Sequence, residues 1–240
     1  MSKVHRAMIM AAGLGTRMRP LTNDRPKPLV TVRGRTLIDH AIDRLVAAGV
    51  DRIVVNLHYK AQALRDHLDK RRDAEIVYSL ETDELMGTGG GVAKALAHFE
   101  GEAFFILNSD SVWVESVNPA LPMMQRAWDP EQMDGLLLLA SMTTAMGYEG
   151  RGDFVLSSDG RLSRVPEQHS SPFAYPGVQI VHPQLFADPP EGAFSTNLMW
   201  NRAIAKRRLF GIRLDGVWIH VGTPEARAEA ERYLAKLAPA

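Results

Sequence analysis

Cysteine is absent from the 240 residues, which excludes a disulfide framework, a thiolate nucleophile and any cysteine-ligated metal centre, and agrees with a reducing compartment such as the cytoplasm. Net charge is absent too. With 28 Lys plus Arg against 28 Asp plus Glu, no whole-surface field exists to hold nucleic acid or anionic lipid, and an anion must be met by a local cluster. No apolar run approaches the roughly 18 residues of a membrane span. The opening Met1-Ser2-Lys3-Val4-His5-Arg6 leads straight into a short apolar stretch without the apolar core of a signal peptide. Internal repeats, low-complexity tracts and linkers are also missing, which points to one continuous domain over residues 1–240.

What is present is a packed α/β pattern. A hydrophobic fraction of 45% with 23% charged residues separates the chain from disordered sequences. Short runs rich in Ile, Val, Leu and Phe at 7–12, 52–57, 75–80, 103–107 and 135–140 read as buried strands. Between them, 36–48 places Leu37, Ile38, Ala41, Ile42, Leu45 and Val46 on one helical face, with Thr36 to cap its start and Gly49 its end. Residues 60–71 and 88–98 continue the helical theme. Strands that are apolar throughout and alternate with helices predict a mostly parallel sheet covered on both faces, whose ligands bind beyond the carboxyl ends of the strands. After residue 148 the pattern changes. Residues 154–156, a Ser157-Ser158-Asp159-Gly160 turn and 161–165 predict a hairpin, and 178–181 another strand, which together read as an antiparallel extension closing over the substrate. The last helix is announced by Thr223 as cap, Pro224 at the first position and Glu225 near the positive end of the dipole.

The first strand runs into Ala11-Ala12-Gly13-Leu14-Gly15-Thr16-Arg17-Met18-Arg19-Pro20. Glycines there let backbone N–H groups approach an anion, Thr16 adds a hydroxyl and Arg17 a planar fork of donors. A dinucleotide fingerprint would need a third glycine where Met18 stands, and the lysine of a Walker A loop is missing. Downstream, Pro26-Lys27-Pro28 sets one ammonium between two prolines, and a residue preceding proline is expected to be extended, which aims Lys27 at a fixed charge. The run 104–107 ends in Asn108-Ser109-Asp110, so Asp110 stands at a strand terminus, a position suited to a metal ion that combines one or two carboxylates with phosphates and water.

The ordered pair Ala11 to Thr22 and Pro26-Lys27-Pro28-Leu29-Val30 resembles the signature of the sugar-1-phosphate nucleotidyltransferases. The resemblance implies a Rossmann-like three-layer sheet, a nucleoside triphosphate and a sugar 1-phosphate as partners, Mg²⁺ as cofactor and pyrophosphate as product. Carried onto this sequence, it implies that the stretch Ala11, Ala12, Gly13, Gly15, Thr16 and Arg17 binds the triphosphate, that Lys27 bridges phosphates, and that Arg17, Lys27 and Asp110 form the catalytic group. It further implies that Glu81, Gly87 and Thr88 read the nucleobase, in a Glu81-to-Gly91 segment whose Thr88-Gly89-Gly90-Gly91 resembles the uridylyltransferase branch. Where the family often has a second metal carboxylate, Val217 to Thr223 offers His220. Three readings follow: Asp110 alone with phosphates and waters holds Mg²⁺, which we favour; His220 biases the site toward Mn²⁺ or Co²⁺; or His220 contacts phosphate only.

Tyr148-Glu149-Gly150-Arg151-Gly152-Asp153-Phe154, with Tyr175 to Pro183 and Gly192-Ala193-Phe194, resembles the short bacterial branch acting on N-acetylmuramate 1-phosphate. That likeness makes Asn108, Arg151, Gly152, Asp153 and Gly177 the candidate sugar-site residues. The family's second lysine, which would meet the sugar phosphate, has no counterpart in Val165-Pro166-Glu167-Gln168-His169, leaving Arg151 or His169 to replace it. Other substrate pairs of the family (glucose or mannose 1-phosphate, phosphocholine) and a catalytically silent nucleotide-sugar regulator are the rival readings. Oligomeric state is not encoded in any of these motifs.

Overall fold

The computed structural model describes residues 3–82 and 84–237. Its centre is an eight-stranded sheet in the order Phe173–Ala174, Gly135–Ser141, Val178–Val181, Phe104–Asn108, Arg6–Met10, Arg52–Leu57, Glu75–Leu80, with Leu209–Arg213 also paired to Gly135–Ser141. Arg6–Met10 lies parallel to both Arg52–Leu57 and Phe104–Asn108, and Arg52–Leu57 is parallel to Glu75–Leu80. Successive side chains of each strand enter opposite cores. Ala7, Ile9, Phe105 and Leu107 pack with Ile38, Ile42, Leu64 and Leu121 on one face, whereas Met8, Phe104 and Ile106 pack with Val92, Ala95, Met199 and Trp200 on the other. That two-sided burial is why the strands read as continuous apolar runs rather than alternating ones.

The helices carry the expected caps. In Leu37–Ala47, the N–H of Asp39 donates to Thr36 Oγ1 (3.2 Å), and Gly49 takes φ +85° just past the end, a left-handed position that costs glycine nothing. Pro224–Leu237 starts with the N–H of Ala226 donating to Thr223 Oγ1 (3.2 Å). Of the two other expected helices, Ala61–Leu68 falls short of 60–71 at both ends, and Gly87–Ala95 stops before residue 98, giving way to a 3-10 turn at Leu96–Phe99.

Three features differ from the sequence reading. Val178–Val181 is no part of an outlying extension; it is inserted antiparallel between Phe104–Asn108 and Gly135–Ser141, fully inside the main sheet. Only the hairpin Phe154–Leu156 with Leu162–Arg164 forms a separate antiparallel pair in that region. The second feature is an antiparallel ribbon in which Ser111–Glu115 pairs with Gly216–His220, so that Ser111 faces His220. Third, helices Ala120–Ala127 and Thr196–Ala205 and strand Leu209–Arg213 complete the layers. The ribbon matters most for the site, because it builds a third small core. Val112 and Ile219 from the ribbon meet Met18, Val30, Val32, Leu37 and Ala230, which fixes the segment after the first strand against the end of the Phe104–Asn108 strand.

Candidate active site

Beyond Met10 the chain leaves the sheet with the N–H of Ala11 donated to Asn56 Oδ1 (2.6 Å). Gly13, Leu14 and Gly15 follow, and their N–H groups donate no hydrogen bond among the described residues. Gly15 has φ +64°, and a Cβ there would lie 3.1 Å from both Lys27 Cβ and Thr22 Cγ2, so glycine is required for conformation and for room. Thr22 Oγ1 locks the bend by donating to the Gly15 carbonyl (2.8 Å). The 3-10 turn Thr16–Met18 then buries Met18 in the third core. With Met18 anchored inward, Arg17 is exposed and without an ion pair among the described residues. Three free N–H groups beside an unpaired guanidinium form a cradle for anionic oxygens.

Lys27 opens a 3-10 turn, Lys27–Leu29, with the N–H of Leu29 donating to the Pro26 carbonyl (2.9 Å) and that of Val30 to the Lys27 carbonyl (2.9 Å). It is thus helical rather than extended, because these two turn-closing bonds outweigh the bias imposed by Pro28. The side chain is aimed nonetheless: its Nζ donates to Asp110 Oδ2, and both side chains are more than four-fifths buried. Burial pushes the Asp110 carboxyl upward, but the Lys27 ammonium beside it, helped by His220, leaves it below the usual aspartate range. His220 moves the other way. Burial lowers its imidazole below the usual value, Asp110 pulling it back only in part while Lys27 and Arg17 add to the lowering. The cluster therefore presents Asp110 as a carboxylate and His220 as a neutral ring at neutral pH.

On the far side of the cleft, Glu81 is 2% exposed. One carboxylate oxygen accepts from Asn56 Nδ2 (2.7 Å) and the other from the N–H of Met86 (2.9 Å). Glu81 thus ties its own segment, through Asn56, to the turn that follows the first strand. Asp83 of that segment lies outside the described residues. The glycines that follow have a steric role inside the protein: a Cβ on Gly87 would lie 2.7 Å from the Phe194 carbonyl oxygen, and one on Gly89 2.4 Å from the Phe194 ring. Thr88 Oγ1 accepts from the N–H of Thr196 (3.0 Å).

These groups enclose a cleft of about 530 Å³ lined by Ala11, Ala12, Gly13, Gly15, Thr16, Arg17, Lys27, Glu81, Gly87, Thr88, Asn108 and Asp110, together with apolar Leu14 and Leu85. A second cavity of about 250 Å³ is lined by Asn108, Asp110, Tyr148, Asp153, Arg164, Trp218 and His220 among others. The two meet at Asn108 and Asp110. Asp153 is held there by accepting from the N–H of Tyr175 (2.8 Å) and from the Tyr148 hydroxyl (3.3 Å); burial and Asp153 push the Tyr148 phenol up to about 12. Of the other expected sugar-site residues, Gly177 (φ +81°) backs the cavity, since a Cβ there would lie 2.6 Å from Asn108 Nδ2. Gly152 packs against the carbonyls of Ser171 and Phe173. Arg151 and His169 are exposed and line neither cavity. The cation that does reach the second cavity is Arg164, which the sequence did not single out.

The sequence profile described as nucleotidyl transferase matches residues 6–148. The chain belongs to the nucleotidyl transferase family. It is 46% identical over 235 residues to an N-acetylmuramate alpha-1-phosphate uridylyltransferase of Caulobacter vibrioides, covering 96% of this chain and 97% of the relative. It is 31% identical over 229 residues to a protein of the same description from Neisseria meningitidis serogroup B, covering 94% and 96%. These relatives place it among the sugar-1-phosphate nucleotidyltransferases, and it is an enzyme of that class. A solved UDP-glucose pyrophosphorylase complexed with UDP-glucose shares the fold with a TM-score of 0.82 at 18% identity, over 98% of this chain and all of the other. No helix among the described residues is long and apolar enough to cross a membrane.

Proposed function

We propose that this nucleotidyltransferase joins UTP to N-acetylmuramate 1-phosphate, giving UDP-N-acetylmuramate and pyrophosphate, in the cytoplasm where its nucleotide is made. The observation that carries the reading is the meeting of two cavities at Asp110, one with an anion cradle and the other with polar side chains for a ring, as a two-substrate transfer requires. The choice of base and sugar is supported by the two relatives above.

In this reading the free N–H groups of Gly13 to Gly15, with Thr16 and Arg17, hold the triphosphate in the larger cleft, and Gly87 and Thr88 border the base. The sugar phosphate enters from the smaller cavity, and one of its oxygens attacks the α-phosphorus in line as pyrophosphate leaves. No protein nucleophile is needed. Lys27, held by Asp110 at the junction, stabilises charge on the phosphoryl oxygens as they pass from one partner to the other. Asn108, braced by Gly177, and Asp153 are placed to contact the sugar ring. Glu81 acts through its hydrogen bonds by positioning the base-side segment.

The donor set fits a divalent ion only in part. No group of three metal-binding side chains occurs among the described residues, so Asp110, with His220 close by, would share the ion with phosphate oxygens and water, the arrangement Mg²⁺ accepts. Bound there, Mg²⁺ would neutralise charge on the triphosphate.

A panel of nucleoside triphosphates against sugar 1-phosphates, read by pyrophosphate release, tests the proposal. UTP with N-acetylmuramate 1-phosphate is expected to be the fastest pair. Faster turnover of glucose or mannose 1-phosphate would replace the substrate assignment, and binding without pyrophosphate release from any pair would leave a silent sensor.

A further inference from the structure

The smaller cavity holds a cation that the transfer does not use. Arg164 ends the Leu162–Arg164 strand and is half-buried. Its Nε donates to Asn201 Oδ1 (2.8 Å), and its Nη2 donates to Asn197 Oδ1 (3.0 Å) and to the Asn197 carbonyl (3.2 Å). All these acceptors are neutral, and the guanidinium forms no ion pair among the described residues. Nη1 makes no hydrogen bond among them either. Its central carbon lies over two aromatic rings, 4.8 Å from the Phe154 centroid and 5.6 Å from that of Trp200, which themselves meet edge-on 5.6 Å apart. Burial lowers the Arg164 pKa, with only Asp153 opposing at longer range, and Asp153 is already occupied by Tyr148 and Tyr175.

A desolvated arginine with neutral partners is electrostatically incomplete, and a guanidinium already fixed through Nε and Nη2 loses little freedom when its free Nη1 meets a carboxylate. Asn197 and Asn201 stand one turn apart on Thr196–Ala205, so the fork is fixed to a helix rather than to a mobile loop. The cavity that Arg164 lines runs to Asp110. A ligand filling it therefore has its phosphate at Asp110 and Lys27 and its other end at Arg164. Glucose, mannose and N-acetylglucosamine 1-phosphates bring no charge to that end; N-acetylmuramate brings the carboxylate of its lactyl ether.

We propose that Arg164 is a specificity-determining residue that receives a carboxylate borne by the sugar ring, the lactyl carboxylate if the function proposed above holds, on which this inference rests. The test compares N-acetylmuramate 1-phosphate with N-acetylglucosamine 1-phosphate, the same ring without the lactyl ether, at saturating UTP. In Arg164→Gln, the ratio of kcat/KM for the first substrate to that for the second is expected to fall about 10- to 100-fold, chiefly through KM, as for loss of one charge-assisted contact. Arg164→Lys, which keeps the charge without the fork, should recover part of the ratio, and it carries the test if the glutamine variant melts below the assay temperature. An unchanged ratio, with both substrates slowed equally or not at all, would reduce Arg164 to a clamp between hairpin and helix and overturn the inference while leaving the function intact. Wild-type turnover of uncharged sugar phosphates alone would overturn both.

Discussion

Lys27 and Asp110 are more informative as a pair than as two site residues. The carboxylate is held below its usual range by the ammonium, so the contact persists through neutral pH, and the ammonium stays at the junction of the cavities before either substrate arrives. Preorganised charge of this kind acts chiefly in the transition state. Lys27→Ala should accordingly lower kcat by about 10²–10³ under saturating substrates, as for removal of one oriented donor; steady-state kinetics that found near wild-type kcat would remove Lys27 from the phosphoryl transfer. His220 is a neutral ring where a second carboxylate would suit a hard cation better. His220→Asp should lower the Mg²⁺ concentration needed for half-maximal turnover, and an unaltered Mg²⁺ titration would place residue 220 outside the metal's ligands.

Elements carry the site because their ends, not their middles, meet in it. Gly177 stands just before the Val178–Val181 strand with φ +81°, and a side chain has no space there: Asn108 Nδ2 and Ser111 Oγ would each lie 2.6 Å from its Cβ. Gly177→Ala should destabilise the fold by about 1–3 kcal/mol through overpacking and a left-handed alanine, seen in urea unfolding, and should raise the KM for the sugar phosphate as Asn108 shifts. The same residues show what sequence could and could not reveal. The first-half strands and the capped helices were legible, because two-sided burial writes a continuous apolar run and a cap writes a threonine. The glycine turn from Gly13 to Gly15 was legible because its geometry is local, whereas the turn at Lys27 and its contact with Asp110, 83 residues away, were not. The direction and place of Val178–Val181 were not, since an apolar tetrad fits any position in a sheet. The Ser111–Glu115 ribbon was hidden by following Asp110 at once. Arg164 was invisible for another reason: the asparagines that orient it are 33 and 37 residues away, and only the folded helix brings them together.

At the scale of the whole molecule, one carboxylate cluster ties the Leu37–Ala47 helix to the loop that precedes the Glu75–Leu80 strand. Arg71 donates to Asp39 and Asp43 (2.8 Å each) and to Asp73 (2.6 Å), and His67 adds a contact to Asp39 (2.8 Å). Burial opposes the charge on Asp39, yet Thr36, Arg71 and His67 hold it below the usual aspartate value; the hydrogen bond from Arg71 does the same for Asp73. Carboxyls depressed in the folded state stabilise it above their unfolded pKa, and that contribution is lost as pH falls through the folded one. The thermal midpoint should therefore decline as pH drops below the ordinary aspartate range. Arg71→Met should lower the neutral-pH stability by about 1–2 kcal/mol, since the network is only partly shielded from solvent, and should flatten the decline in calorimetric scans. A parallel slope in wild type and variant would show that other carboxylates govern acid unfolding.

The late strand wedged into the middle of the sheet also bears on how the protein is made. Until residue 181 has left the ribosome, the nascent chain carries Phe104, Phe105 and Leu107 on a strand with one unpaired side, an open template for joining a neighbouring polypeptide. The amino-terminal half of the sheet, though encoded first, has to wait for the other half before it can close.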